Sequence, residues 1–263
     1  MKSEIGASNG RQALQSTGYA LFENAIDDAS LVQLRDDLER VYRQRRAVQR
    51  RNGIANGMTG TCHHLLGEKN SLDALFAALP LHEIICEFFD GPYILNSFGG
   101  FLNRPVEADG YIGAVHRDVR TYSKNFKLMA NMLIMLDDFT ENNGATYLLA
   151  GSQNTEARPS DKNFFATAAR AFGSAGDILL FDSRIWHAAG RNGSTKPRRA
   201  LTLTFTRPFI KPQLDYPRYL GEAYIASLSS AARQVLGCDA RVPATIDEFY
   251  QPPDRRAYKP NQG

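Results

Sequence analysis

The sequence predicts a mainly β fold with flanking helices, its core a jelly-roll or another closed β architecture. Two observations predict it. Between Tyr93 and Phe209 lie the strand-like segments YILNSFGGFLN, YIGAVHRDV, FKLMANMLIMLDDF, ATYLLAG, GDILLF and RRALTLTFTRPF, separated by turn signals such as ENNG and GRNGSTKP. On both sides of this stretch apolar residues recur at helical intervals instead. A β-rich chain of 263 residues commonly forms one unit, and no Gly-, Ser- or Pro-rich linker divides this one. One domain over 1–263 is expected, with a helical N-terminal part of about 1–92, a β core of about 93–209 and a helical tail of about 210–263.

Taken in order, GYALFE at 18–23 reads as a short strand. A helix is expected to start near Ser30, because Gln33 three residues on completes a capping-box pattern. Leu31, Leu34, Leu38 and Val41 give that helix one apolar face. It runs into RQRRAVQRR, which reads either as a solvated helix face or as an attraction for an anionic substrate. The loop GMTGTCHHLLGE holds Cys62, His63 and His64. Adjacent side chains rarely converge on one ion and no fourth ligand is spaced to help, so zinc is rejected. His63 and His64 remain candidates for substrate binding, with a structural role as the alternative. SLDALFAALPLHEIICEFF reads as one or two short helices broken around Pro80. NFFATAARAF is a helical candidate inside the strand region, and EAYIASLSSAARQVLG is a helix ending at Gly237.

Composition narrows the function classes. A formal charge of +3 is too small to argue for nucleic acid or a membrane surface. Cys62, Cys86 and Cys238 are odd in number and widely spaced, which fits reduced thiols better than a disulfide framework. The opening MKSEIGASNGRQALQ lacks the apolar core of a signal peptide, and no stretch is long enough to span a membrane. The expectation is a soluble, cytoplasmic protein that meets a small molecule, with no protein partner implied.

The chemistry starts at YIGAVHRDVR, 111–120. In a strand, His116 and Asp118 project to one face while Arg117 turns to the other. That is half a metal site, or a core histidine bonded to an aspartate. A third ligand is available in GDILLFDSRIWHAAGRN, where His187 ends a strand pair. Two histidines and one carboxylate with open positions are the donor set of non-haem Fe(II) oxygenases. A chelating co-substrate with a distal carboxylate also needs a fixed cation, and Arg198 stands on the next strand. Asn131, in the apolar LMANMLIML, is a buried amide that either hydrogen-bonds within the protein or contacts that co-substrate. If alternation holds to the end of the strand, Arg120 shares the face of His116 and Asp118. It then meets an anionic substrate, or else points into solvent.

HRD at 116–118, ENNGATYLLAGSQ at 141–153, GDILLFDSRIWHAAGRN at 176–192 and Arg198 together resemble the phytanoyl-CoA dioxygenase family of Fe(II)- and 2-oxoglutarate-dependent oxygenases. The resemblance runs from about Gly18 to Phe209. It implies a double-stranded β-helix core, iron held by His116, Asp118 and His187, and the 2-oxoglutarate tail carboxylate held by Arg198. It also implies hydroxylation with O2 as co-substrate and succinate and CO2 as co-products. Family spacing favours Arg198 over its neighbour Arg199, since alternation admits only one of them to the interior. The carboxylate at Asp118 argues for hydroxylation over halogenation. Two departures stand out. Ala150-Gly151-Ser152-Gln153 replaces the family's Pro-Gly-Ser-His, and Ala189 stands where a hydroxyl residue often helps bind 2-oxoglutarate, a job left to Asn131, Thr204 or water. The expected substrate is a small polar or anionic metabolite. The alternatives are a non-catalytic binding module on the same barrel and a cupin-type metalloenzyme that does not use 2-oxoglutarate.

Overall fold

Period-two alternation along the long strands builds the core of this protein. The computed structural model describes residues 7–105 and 113–262. The N-terminal part comprises α1 (Ala7–Ser16), β1 (Tyr19–Phe22), α2 (Asp28–Arg51), β2 (Thr61–His63), α3 (Ser71–Ala78) and α4 (His82–Phe89). Strands β3 (Ile94–Asn103), β4 (Met129–Met135) and β5 (Tyr147–Leu148) follow, then α5 (Asp161–Thr167). Next come β6 (Ala169–Arg170), β7 (Ile178–Asp182), β8 (His187–Ala188) and β9 (Arg198–Thr206). The tail carries α6 (Tyr216–Leu220), α7 (Glu222–Ala226), α8 (Ser230–Leu236) and α9 (Ile246–Phe249).

A six-stranded antiparallel sheet, in the order β1-β7-β4-β9-β3-β2, faces a three-stranded one, β6-β5-β8. This is the double-stranded β-helix arrangement, mainly sheet with helices outside it. Ala130, Met132 and Ile134 of β4, Ile178 and Leu180 of β7, and Leu201, Leu203 and Phe205 of β9 pack against the helices. Leu133 and Met135, Leu179 and Phe181, and Ala200 turn the other way, towards the small sheet. Each strand thus serves two cores at once. Helix α2 sends Leu31, Leu34, Leu38 and Val41 into the outer one. Gly100 is what lets it approach: a Cβ there would lie 2.2 Å from Leu38 Cδ1.

Several expectations need correction. The architecture is not closed among the described residues, because the small sheet's strands are only two residues long and no ladder joins the two sheets. Helix α2 begins earlier than Ser30. Asp27 is its cap, accepting the Ser30 N–H at 2.9 Å, so a carboxylate outcompetes the Ser–Gln pattern. The single helix expected over 222–237 is two, since Ser229 caps a fresh start by accepting from the Ala232 N–H. It does end at Gly237, in the left-handed region at φ 92°. Pro80 separates two helices, α3 and α4.

The segment 111–120 is also not a strand as described. Tyr111 and Ile112 lie outside the described residues, and the rest forms a single bridge, His116 to His187. Alternation nevertheless survives, with Val115, Arg117 and Val119 buried and His116, Asp118 and Arg120 on the more open side. No helix of the described residues is long and apolar enough to cross a membrane.

Candidate metal centre

His116, Asp118 and His187 come together although 71 residues separate the first from the last (187 − 116). Two reciprocal backbone hydrogen bonds between the histidines do this, His116 N–H to His187 O at 3.0 Å and His187 N–H to His116 O at 2.8 Å. Ligand atoms of the three side chains all lie within 4.8 Å of one another. The two His Nε2 atoms are each 3.7 Å from an oxygen of Asp118, His116 from Oδ1 and His187 from Oδ2. Nδ1 of His116 donates to the Ala114 carbonyl at 2.7 Å, and Nδ1 of His187 to that of Ile185 at 3.1 Å. With the proton on Nδ1, each Nε2 lone pair points into the gap, as a metal ligand requires. Burial lowers the pKa of His187, with Asp118 opposing and His116 assisting, so burial favours the neutral, ligating form. The donor set fits iron.

The back side of the segment is anchored. Arg117, turned away as alternation requires, lies over the Trp186 ring at 4.4 Å and donates to the carbonyls of Thr155 and Glu156. Trp186 packs with Val115, Phe164 and Ala188, which is a structural role. On the front side, Ser183 O accepts the backbone N–H of both Asp118 and Val119 at 3.1 and 3.2 Å. Asn131 Nδ2 donates to Asp118 Oδ2 at 2.5 Å and to Ser183 Oγ at 2.9 Å, while Thr204 Oγ1 donates to Asn131 Oδ1 at 2.7 Å. Both amide hydrogens of Asn131 and the hydroxyl hydrogen of Thr204 are thereby used. 2-Oxoglutarate offers only acceptors, so neither residue donates to it without giving up a protein partner.

The triad opens into a cavity of ≈ 320 Å³ along the inner face of β9, lined there by Arg198, Ala200, Thr202 and Thr204. Arg198 is 4% exposed, a burial that pushes its pKa down to about 9 against the opposing pull of Asp137. It has no ion pair among the described residues. Nη1 donates to the Gly144 carbonyl at 3.0 Å, the guanidinium lies 3.8 Å from the Phe139 ring centroid, and Nε is buried without a partner. Gly144 holds φ 84°, and a Cβ there would lie 2.4 Å from the Gly190 carbonyl, so only glycine presents this acceptor. A buried cation without a counter-charge is costly unless an anion arrives to meet it. Arg199 faces α2 instead, paired with Asp137 at 2.8 Å and Glu39 at 3.0 Å.

The remaining sequence candidates separate. His63 lines the cavity from the edge strand β2, opposite Gly99. Burial lowers its pKa, and its ring makes no hydrogen bond among the described residues. His64 does not line the cavity. Its Nδ1 pairs with the Tyr216 hydroxyl at 2.9 Å, and its pKa is pushed down to about 4, by burial first and then by His63 and Arg45. Arg45 of RQRRAVQRR binds the carbonyls of His63 and His64 and pairs with Glu68, which makes it a clamp on this turn. Arg120 is exposed and absent from the described lining. Sequence reasoning did not single out Ser97, Phe101, Thr146, Thr202 or Gln213, all of which line the cavity. The alternation of β9 carried a signal for Thr202. Gln213 sits in irregular chain and had none.

Comparison with known proteins agrees with this geometry. The model of the phytanoyl-CoA dioxygenase (PhyH) family matches residues 14–200. An uncharacterized protein of Mycobacterium tuberculosis is 32% identical over 262 residues, covering 96% of this chain and 94% of that protein. The dioxygenase olcK of Penicillium canescens is 31% identical over 159 residues, 54% of this chain and 50% of that protein. Among solved structures, EctD from S. alaskensis with bound Fe superimposes with a TM-score of 0.65 at 15% identity, covering 81% of this chain and 82% of that one, a likeness of fold. Iron(II) as the metal, with 2-oxoglutarate and O2 as co-substrates, accords with the donor set, the buried arginine and the family match.

Proposed function

Because this chain belongs to the phytanoyl-CoA dioxygenase family and is an oxygenase of that kind, we propose that it hydroxylates a small polar metabolite with Fe(II), 2-oxoglutarate and O2. One observation carries the reading. A three-donor group and a buried arginine without a carboxylate partner face the same cavity. His116, Asp118 and His187 hold the ion, and Arg198 receives the tail carboxylate of 2-oxoglutarate through a charge-assisted fork. When bound, the iron couples decarboxylation of 2-oxoglutarate to oxygen insertion, so that R–H, O2 and 2-oxoglutarate become R–OH, succinate and CO2. The protein orients the reactants, neutralises the tail and limits water around them.

Apart from the triad and β9, the described lining includes His63, Ser97 and Gln213, which offer neutral hydrogen-bonding groups, with Phe101 and Met129 as apolar neighbours. Arg198 is the one fixed cation among the described lining residues. This lining favours an uncharged polar substrate over the anionic one that Arg120 suggested. The first test is succinate release from 2-oxoglutarate by the purified protein with Fe(II) and ascorbate. A protein that neither binds Fe(II) nor releases succinate is not this oxygenase. With a substrate in hand, His63→Leu is expected to raise its KM about 10-fold, the loss of one hydrogen bond in a buried site, with the 2-oxoglutarate KM unchanged. Arg120→Ala is expected to change neither, and a raised substrate KM in that variant would restore the anionic reading.

A further inference from the structure

We propose that Asn131 is a positioning residue for Asp118: it holds one carboxylate oxygen so that the other is presented to the metal, and Thr204 anchors the far end of its amide. This rests on the metal reading above. Asn131 sits in β4 between β7 and β9, paired with Phe181 on one side and Thr204 on the other, so its backbone is fixed from both directions. It is the polar residue of MANMLIM and is 6% exposed. A buried amide in such a strand is retained only if its partners use it fully. Here they do.

The orientation of the amide follows from its neighbours. A carboxylate only accepts, so Asp118 Oδ2 must face Nδ2, at 2.5 Å. Ser183 Oγ takes the second amide hydrogen at 2.9 Å. At the other end the Thr204 hydroxyl donates to Oδ1 at 2.7 Å. A flipped amide would set oxygen against oxygen at Asp118, so the carboxylate dictates the orientation and the Thr204 hydroxyl anchors the opposite end. Asp118 needs this support because it stands outside any regular strand, with its side chain a third exposed. Ser183 O holds its backbone N–H and Asn131 holds its carboxylate. Oδ2, 3.7 Å from His187 Nε2, takes the Asn131 hydrogen, while Oδ1, 3.7 Å from His116 Nε2, accepts no hydrogen bond among the described residues and is the freer of the two to meet an ion. A carboxylate that offers one oxygen leaves more of the ion open to co-substrates than one that offers two.

The experiment measures metal binding to the apo protein. Fe(II) is titrated anaerobically by calorimetry into wild type, Asn131→Leu, Thr204→Val and Thr204→Ser, and the visible chelate band is recorded on adding 2-oxoglutarate. Asn131→Leu is expected to weaken Fe(II) binding by about 10- to 100-fold, the usual effect of removing a partner that orients a ligand. Thr204→Val should weaken it in the same direction by less. Thr204→Ser keeps the hydroxyl and should keep wild-type affinity. Thr204→Val leaves the buried Asn131 oxygen without its donor, so its apo protein should melt about 2–4 °C lower. Weaker Fe(II) binding measured well below that melt, and restored in Thr204→Ser, is what a purely structural role does not predict. If Asn131→Leu fails to fold, the Thr204 pair decides. Unchanged Fe(II) affinity in Thr204→Val, with wild type binding iron normally, overturns the proposal alone. A wild type that binds no iron overturns it together with the functional reading.

Discussion

Asp118→Ala and His187→Ala are each expected to reduce 2-oxoglutarate turnover to background while the protein stays folded. Each side chain contributes one of the three donors grouped here among the described residues. An ion left with two protein ligands fills the vacated position with water and is held far more weakly, by more than the 10- to 100-fold typical of losing an outer partner alone. Stability responds differently in the two variants. Asp118 is a third exposed, and its removal frees the Asn131 amide, so the cost is about 1 kcal/mol, that of one unmet buried donor. His187 is buried with its ring 5.0 Å from that of Phe181, and its loss leaves a small void costing about 1–2 kcal/mol. Succinate release, calorimetric Fe(II) titration and thermal melts of each variant separate these effects. Wild-type turnover in either purified variant would remove the metal assignment.

The sequence showed this site unevenly, for physical reasons. His116 and Asp118 were readable because an extended backbone puts alternate side chains on one side even when the segment bonds only once to a neighbour. Alternation required that only one of Arg198 and Arg199 face the interior, and the family spacing chose Arg198. Asn131 was readable as a buried polar residue, but its partners were not. Asp118, Ser183 and Thr204 lie 13, 52 and 73 residues away, and only the register of β4 against β7 and β9 brings two of them near. The part of the cavity wall contributed by β2 was the least visible. His63 reaches it because β2, three residues long, adds to the sheet edge beside Gly99 and Gly100, where local sequence reads as loop. Arg120 was left between substrate and solvent by its sequence, and it lies on the exposed side, outside the described lining.

The adjacent arginines give the sharpest test of register. Arg198→Ala should raise the KM for 2-oxoglutarate by about 10- to 100-fold, from loss of a charge-assisted fork of roughly 1.5–3 kcal/mol. The variant should not be much less stable, because Arg198 has no ion pair to lose and its buried charge is a liability until an anion binds. Arg199→Ala should show the opposite split. Its guanidinium is forked on Asp137 and also reaches Glu39, tying β9 to the 136–137 turn and to α2. Removing it leaves the half-buried Asp137, whose pKa that fork holds down against burial, with Arg35 as its remaining cation at 3.4 Å. A loss of about 1–3 kcal/mol in stability is expected, with the 2-oxoglutarate KM little changed. Asp137 has a lowered folded-state pKa, so the stability it contributes is present above its unfolded value near 4. That contribution is lost as pH falls through the lower folded value, and Arg199→Ala should flatten this acid limb. Steady-state kinetics in 2-oxoglutarate and melts from pH 7 down to pH 3 read the two effects separately. If Arg199→Ala raised the KM while Arg198→Ala cost stability, the inner face of β9 would carry Arg199, and the assignment of every cavity residue on that strand would move by one.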